Sequence, residues 1–507
     1  MRRLHEAKSA VESYSPAEEL FNRQRRTIGL VAGPVLFVIV LLLPASSLPP
    51  AAHRLGAILT LMIVLWMTEA LPLSVTALLG PTLAVLLGVA PVRTAFAPFA
   101  DPIIFLFIGS FILAEAMFVQ RLDRRLAFSA LASPWIGASG FRLVLVYALV
   151  SCGLSMWMSN TATTAMLFPL GLAVLAELGR GRQNDKAFER YALAMMLVTS
   201  LAASIGGMAT PVGTPPNLIG KGFLEQAGIE ISFAAWMAFG VPIVVCLMAF
   251  VVWWLLVPSA RPIELGPEAS RAVRRELAAL GPLGVGERNV ILAFVLTVVL
   301  WVVPGLMPTM LGEDHPVARR LVVLFPESIA ALVGALLLFV LPVSWRMRKF
   351  TMSWEEASRI DWGIILLFGG GLAMGQLADS TGLSASLGGW VSAEFPGLET
   401  VGLTMVFTGL AVVLSEAASN TAAANVAVPT AIAVAGAAGV SPLEPALGAT
   451  LGASLGFMMP ISTPPNAIVY SSGYIPISRM MRHGIVLDLV GYVVIVTAVL
   501  VCGPLLR

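Results

Sequence analysis

Charge is what this sequence has least of. Only 12% of its 507 residues are Asp, Glu, Lys or Arg, against about 25% in ordinary soluble domains. Hydrophobic residues make up 58%, and the mean hydropathy is +0.88. That balance excludes a soluble globular enzyme and leaves an all-α polytopic membrane protein. A net charge of +2 is too small to recruit nucleic acid. Cysteine is almost absent: Cys152, Cys246 and Cys502 all lie in apolar runs, with no Cys-x-x-Cys. A disulfide framework or zinc site is thereby set aside, and the three read as small buried hydrophobes. His5, His53, His315 and His483 fall outside spans or at their edges and share no metal spacing. With no nucleophile–base pair and no soluble domain, a membrane enzyme or receptor has little to rest on.

What is present is a pair of polar interruptions that occurs twice. Ser159-Asn160-Thr161 sits inside a long apolar run and returns 260 residues later as Ser419-Asn420-Thr421. Each triplet is followed by a second break, Gly213-Thr214-Pro215-Pro216-Asn217 and then Ser462-Thr463-Pro464-Pro465-Asn466. Hydrocarbon tolerates irregular backbone only where protein or a water-filled cavity surrounds it. Two matched pairs of breaks therefore predict one buried polar site made from two related halves, as in secondary transporters. Leu106-Phe107-Ile108-Gly109-Ser110 and Leu367-Phe368-Gly369-Gly370-Gly371 repeat at nearly the same offset. Those glycines are assigned to close helix approach, since no P-loop Lys follows them. An odd number of spans between equivalent elements makes the repeat inverted.

Charge placement predicts the topology. Residues 1–27 are polar and basic and are expected in the cytoplasm. The first span, within 28–54, follows them without a small-residue cleavage site and is read as retained. Residues 55–257 form repeat 1. Within it, 141–178 is expected to be a re-entrant hairpin, because basic residues flank both ends: Arg142 before it, and Arg180, Arg182, Lys186 and Arg190 after it. Residues 258–288 are a cytoplasmic loop with an amphipathic helix over Pro267–Leu280. Residues 289–507 form repeat 2, with spans at 290–303, 321–341 and 362–378, a second hairpin at 401–439, a descent at 443–459 and a last span at 485–501. The total is eleven transmembrane helices plus two re-entrant hairpins, with the N-terminus cytoplasmic and the C-terminus external. All but six of the 31 Lys and Arg (Arg54, Arg93, Lys221, Arg319, Arg320 and Arg507) then fall on the cytoplasmic side.

At the residues Leu154-Ser155-Met156-Trp157-Met158-Ser159-Asn160-Thr161-Ala162-Thr163-Thr164, both triplets and both Thr-Pro-Pro-Asn breaks, the chain resembles the divalent anion/sodium symporter family of sodium-coupled dicarboxylate, citrate and sulfate carriers. The similarity runs from about residue 28 to the end. It implies an inward-opening and an outward-opening hairpin, a homodimer, and elevator-like motion of a transport subdomain against a scaffold in the cytoplasmic membrane. It implies at least two sodium sites, the first from Ser155, Ser159, Asn160 and the Gly213 carbonyl. The second would use Ser415, Ala418, Asn420 and the Ser462 carbonyl. Substrate would meet Ser159, Asn160, Thr161, Thr214, Pro215, Ser419, Asn420, Thr421, Thr463 and Pro464. Two positions depart from the pattern: Ala422-Ala423-Ala424 follow the second triplet, and Ser462 stands where a small apolar residue is more usual.

The chemistry suits these residue types. Sodium is a hard cation that takes oxygen ligands, which hydroxyls, Asn side chains and freed carbonyls supply. Proline breaks the helix and leaves carbonyls of the preceding turn without partners, while the new helix start offers positive dipole to an anion. Neither triplet contains Lys or Arg, so bound sodium must supply the charge that a dianion lacks. Glu416, three residues before Ser419, is the acidic residue expected to support a hairpin tip. The function expected is sodium-coupled symport of C4 dicarboxylates such as succinate, malate or fumarate. An anion exchanger or a sulfate carrier on the same fold is the alternative.

Overall fold

The computed structural model describes residues 16–44, 48–179, 185–261, 263–312, 314–394 and 399–506. Arg2, Arg3, Lys8, Arg180 and Arg182, counted above as cytoplasmic charges, lie outside them.

Helix starts follow local rules. Proline stands in the first helical positions of Pro50–Thr68, Pro102–Val119, Pro215–Gln226, Pro316–Leu324 and Pro464–Tyr470, where its missing N–H costs nothing. Ser and Asp side chains cap others, as Ser139, Asp185, Ser232 and Asp361 do. Ten helices are long and apolar enough to cross a bilayer, eleven if the bent pair Pro316–Leu324 and Glu327–Val340 is one span. Two of the ten, Asn160–Leu178 and Thr400–Ala417, are hairpin arms. The short Leu73–Leu86 and the broken Leu443–Gly452/Pro464–Tyr470 complete the expected architecture of eleven spans and two hairpins.

The helices sort into two bodies. In one, Pro16–Leu42 packs on Pro50–Thr68, Leu73–Leu86 on Trp362–Thr381, and Pro102–Val119 on Glu327–Val340, with Val285–Leu311 beside them. This is the scaffold. The other body, the transport subdomain, holds both hairpins (Gly140–Ser155 with Asn160–Leu178, Thr400–Ala417 with Asn420–Ala437), both broken spans, Phe233–Ala260 and Ile477–Cys502. Two short helices, Leu122–Leu131 and Leu383–Glu394, act as arms that leave the scaffold and pack on the first and second hairpin respectively. The glycine repeat does what close packing requires. A Cβ at Gly370 would strike the Ala77 backbone, one at Gly109 the Ala331 backbone, and one at Gly371 the Asn425 side chain.

Several boundaries differ from expectation. The first helix begins at Pro16, not Ile28, because nothing between Ala17 and Thr27 breaks a helix; residues 16–27 are its first turns rather than a separate segment. The next begins at Pro50 and the last at Ile477. The loop at 258–288 yields its final residues to Val285–Leu311, and the amphipathic helix in it runs Pro267–Ala279. The span expected at 321–341 is bent by 59°, since Pro326 cannot continue the preceding helix. The descent expected over 443–459 is helical only to Gly452. A two-stranded ribbon, Pro342–Ser344 with Lys349–Phe350, turns through Arg348 at φ 48. Lys221, counted as external, is buried in an ion-pair network and carries no topological weight.

Candidate functional site

Each hairpin tip is a chain reversal between two helices. Gly140–Ser155 ends and Asn160–Leu178 begins under an N-cap from Ser159, whose hydroxyl oxygen accepts from the Ala162 N–H at 3.2 Å. In the second hairpin Ser419 caps Asn420–Ala437 in the same way, again at 3.2 Å. Such caps contribute about 1 kcal/mol each. Ser155 Oγ donates to Asn160 Oδ1 at 2.7 Å, and Ser415 Oγ lies 2.7 Å from Asn420 Oδ1. Both hydroxyls are fully buried.

The breaks are tied by asparagine. Asn217 Nδ2 donates to the carbonyls of Gly207 and Thr210 at 3.0 and 2.8 Å. Asn466 Nδ2 donates to those of Gly456 and Met459 at 2.9 and 3.1 Å. Residue for residue, these pairs repeat at an offset of 249. Each tip then seats on its own break. Thr210 Oγ1 donates to the Met156 carbonyl at 2.5 Å, and Ser415 Oγ also reaches the Ala453 carbonyl at 2.9 Å.

Oxygen atoms converge where tip meets break. A Cβ on Gly207 would strike Asn160 Oδ1 and lie 3.1 Å from the Gly213 carbonyl; one on Gly213 would press the carbonyls of Gly207 and Met156. Ser155, Asn160 and Gly213, three of the four positions that the family resemblance implies for the first sodium, are thus brought together, while the Ser159 hydroxyl is engaged in its cap. In the second half, a Cβ on Gly456 would lie 3.0 Å from Ser415 Oγ and 3.1 Å from Asn420 Oδ1. Asn217 Oδ1 and Asn466 Oδ1 are buried without a hydrogen-bond partner. Neutral oxygen clusters of this kind, glycine-lined and partly unsatisfied, fit a hard monovalent cation. Ser159 is exposed, while Asn160, Thr161, Ser419, Asn420, Thr421 and Pro215 are half-buried and Thr214 and Thr463 are buried. Pro464 is exposed, so the outer rim of the site faces open space.

The halves interlock. Asn160–Leu178 packs on Pro464–Tyr470, and Pro215–Gln226 on Asn420–Ala437, so each hairpin helix lies against the break helix of the other half. Helix starts present positive dipole to an anion.

Against known proteins, the model of the sodium:sulfate symporter transmembrane region matches residues 24–507. The chain belongs to this family. Among its relatives, the sodium-dependent dicarboxylate transporter SdcS of Staphylococcus saprophyticus is 33% identical over 485 residues, covering 94% of this chain and 91% of that protein. The SdcS of Staphylococcus aureus strain USA300 is 32% identical over 486 residues with the same coverage. The crystal structure of the Alcanivorax borkumensis YdaH transporter, described as having an unusual topology, superposes with a TM-score of 0.54 at 15% identity, over 96% of this chain and 98% of that one. That likeness concerns the fold alone.

Within this family member, several site residues escape sequence reasoning. Gly207, Gly456 and the Met156 and Ala453 carbonyls carry no side-chain signal. Asn217 and Asn466 do: the Asn recurs three residues after each Thr. Glu416 supports the second tip as expected, accepting from the Met458 N–H at 2.8 Å and from Ser462 Oγ at 2.6 Å. That bond gives the unusual Ser462 a role. Arg25, on the first helix, pairs with Glu69 at 2.9 Å and donates to the Ala417 carbonyl at 3.3 Å, placing a guanidinium behind the second tip.

Proposed function

We propose that this chain is a sodium-coupled symporter of C4 dicarboxylates. The observation that carries the reading is the duplicated oxygen cluster, Ser155, Asn160 and Gly213 in one half and Ser415 and Asn420 in the other, set beside helix starts that bear no Lys or Arg. A dianion held there by Ser159, Asn160, Thr161, Thr214 and Pro215 with Ser419, Asn420, Thr421, Thr463 and Pro464 gains partial charges from hydroxyls, amides and dipoles, but no full compensating charge. Two sodium ions supply it. One is taken by Ser155, Ser159, Asn160 and the Gly213 carbonyl, the other by Ser415, Ala418, Asn420 and the Ser462 carbonyl. The SdcS name, sodium-dependent dicarboxylate transporter, supports both cargoes.

Transport follows from the two bodies. The subdomain with both hairpins carries its site past the scaffold, each hairpin closing one entrance. The protein works as a homodimer in the cytoplasmic membrane, N-terminus inside and C-terminus outside. Radiolabelled succinate uptake into proteoliposomes tests this. Uptake should require an inward sodium gradient; uptake driven by preloaded dicarboxylate without sodium would mean exchange, and competition by sulfate but not succinate would mean a sulfate carrier.

A further inference from the structure

A cleft of about 350 Å³ opens between the arm helix Leu122–Leu131, the first arm of the first hairpin, and the scaffold helix Val285–Leu311. Its wall is apolar, with Leu122, Leu126, Leu154, Trp157, Ile291 and Phe294 among the lining residues. Its volume is that of a small-ligand site. Gly153 lies on the wall, and a Cβ built there meets no atom within 4 Å, so the empty space begins at the hairpin backbone itself. An unfilled apolar space forfeits dispersion contacts along its lining, and water finds no polar partners in it.

Two further features say what covers it. The scaffold helix exposes Leu292, Val295, Leu296 and Val299, an apolar face on a membrane span, so the mouth of the cleft opens on a surface suited to hydrocarbon. The polar edge of that mouth is basic. Arg288 lies on the same helical stripe as Ile291 and Val295, about 10 Å from Val295 along the axis at 1.5 Å per residue. Arg121 and Arg124 flank Leu122 on the arm helix. All three arginines are exposed, and among the described residues none of them forms a salt bridge, the carboxyl of Asp123 acting on Arg124 from a buried position without direct contact. The edge is held in place by Arg125, whose Nε donates to Glu287 Oε1 at 2.6 Å and whose Nη1 donates to the Gly281 carbonyl at 3.0 Å.

We propose that this cleft is a binding site for one anionic phospholipid. An acyl chain fills the space along Trp157 and Phe294, and the headgroup phosphate meets Arg288, Arg121 and Arg124. Apolar wall and basic rim each match one end of such a molecule, and the arginine spacing places the rim at headgroup level above a chain directed into the hydrocarbon. The lipid would then wedge between scaffold and hairpin, against a residue two positions from Ser159.

Native mass spectrometry of the full-length protein tests it, after purification in detergent supplemented with equal amounts of phosphatidylglycerol and phosphatidylcholine. The wild type should retain phosphatidylglycerol in preference. Gly153→Phe fills the cleft and should lose the retained lipid; Gly153→Leu, a smaller filling, reads the same effect should the Phe variant fail to give monodisperse protein. Arg288→Gln should lower the phosphatidylglycerol preference about fivefold, the worth of one basic residue at an anionic surface. Equal retention of both lipids by the wild type would overturn the assignment. So would unchanged retention in the Gly153 variants.

Discussion

Asn160 and Asn217 sit beside the same oxygen cluster but hold different jobs. The Asn160 amide oxygen faces the cluster, while the Asn217 amide nitrogen ties down two carbonyls that the break leaves free. Replacing Asn160 or Asn420 with Ala should abolish sodium-driven uptake while membrane insertion and thermal stability stay near wild type. Replacing Asn217 or Asn466 with Ala strands two buried carbonyls, at about 1–3 kcal/mol for a buried group left unpaired. Those variants should lose thermal stability along with uptake. Uptake assays paired with thermal melts of the purified proteins separate the two. Full uptake by both the Asn160 and the Asn420 variant would remove the site assignment. At this scale the duplicated motifs pointed to the asparagines and threonines of the tips and breaks, the family resemblance added Ser155 and Ser415, and Thr210 and Arg25 carried no repeat to mark them. The sequence was silent on Gly207, Gly456 and the contributing carbonyls, because a backbone oxygen has no residue type and becomes a ligand only through the fold around it.

Among elements, the half-helix Pro215–Gln226 is fastened to the scaffold by a buried charge. Lys221 Nζ lies 2.8 Å from Glu327 Oε2 and 3.4 Å from Glu225 Oε1, and donates to the Ile231 carbonyl at 2.5 Å. Glu327 in turn accepts from the Phe233 N–H at 2.6 Å. Removing one member of a buried pair leaves an uncompensated charge, at about 3–5 kcal/mol. Lys221→Met should therefore lower the melting midpoint sharply, and adding Glu327→Gln should recover part of the loss, because Gln keeps an acceptor for Phe233 but no charge. If the double variant melts no higher than Lys221→Met, the pair is not what fastens the two elements. Sequence position alone counted Lys221 as an external loop charge; its partner is contributed by another helix over a hundred residues away. The bend at Phe325-Pro326 and the arm Leu383–Glu394 were similarly hidden, the first because Pro326-Glu327-Ser328 is a short interruption in a run otherwise apolar and the second because it lies in a stretch with few charges.

The arm Leu122–Leu131 carries a pH dependence of its own. Asp123 is 2% exposed, and burial pushes its carboxyl up to about 6, against hydrogen bonds from the backbone of Arg124 and of Asp123 itself. The folded state therefore holds this proton more tightly than the unfolded chain does. Between about pH 4 and pH 6 the folded protein binds more protons than the unfolded one, and stability falls as pH rises through that window. Asp123→Asn should flatten that slope in melts taken from pH 4 to pH 8, with the variant more stable than wild type above pH 6. A variant slope equal to the wild type's would place the titration elsewhere.

For the whole molecule, the decisive question is whether the two bodies slide. Gly370 and Gly371 are adjacent on the scaffold helix Trp362–Thr381, yet they face different neighbours. Gly370 lies against Ala77 within the scaffold, and Gly371 lies against Asn425 on the second hairpin. If the transport subdomain travels, the first contact is permanent and the second exists in one state only. Cysteines placed at Gly371 and Asn425, in a background without Cys152, Cys246 and Cys502, should cross-link through a short thiol reagent. The linked protein should lose sodium-driven uptake, regain it when a cleavable linker is reduced, and still bind succinate in the presence of sodium, because neither position belongs to the oxygen clusters. The single Asn425→Cys protein treated with the same reagent controls for modification alone and should keep its uptake. Undiminished uptake with the Gly371–Asn425 pair fully cross-linked would mean that the scaffold and the second hairpin move together, and the alternation of access would then have to arise within the transport subdomain itself.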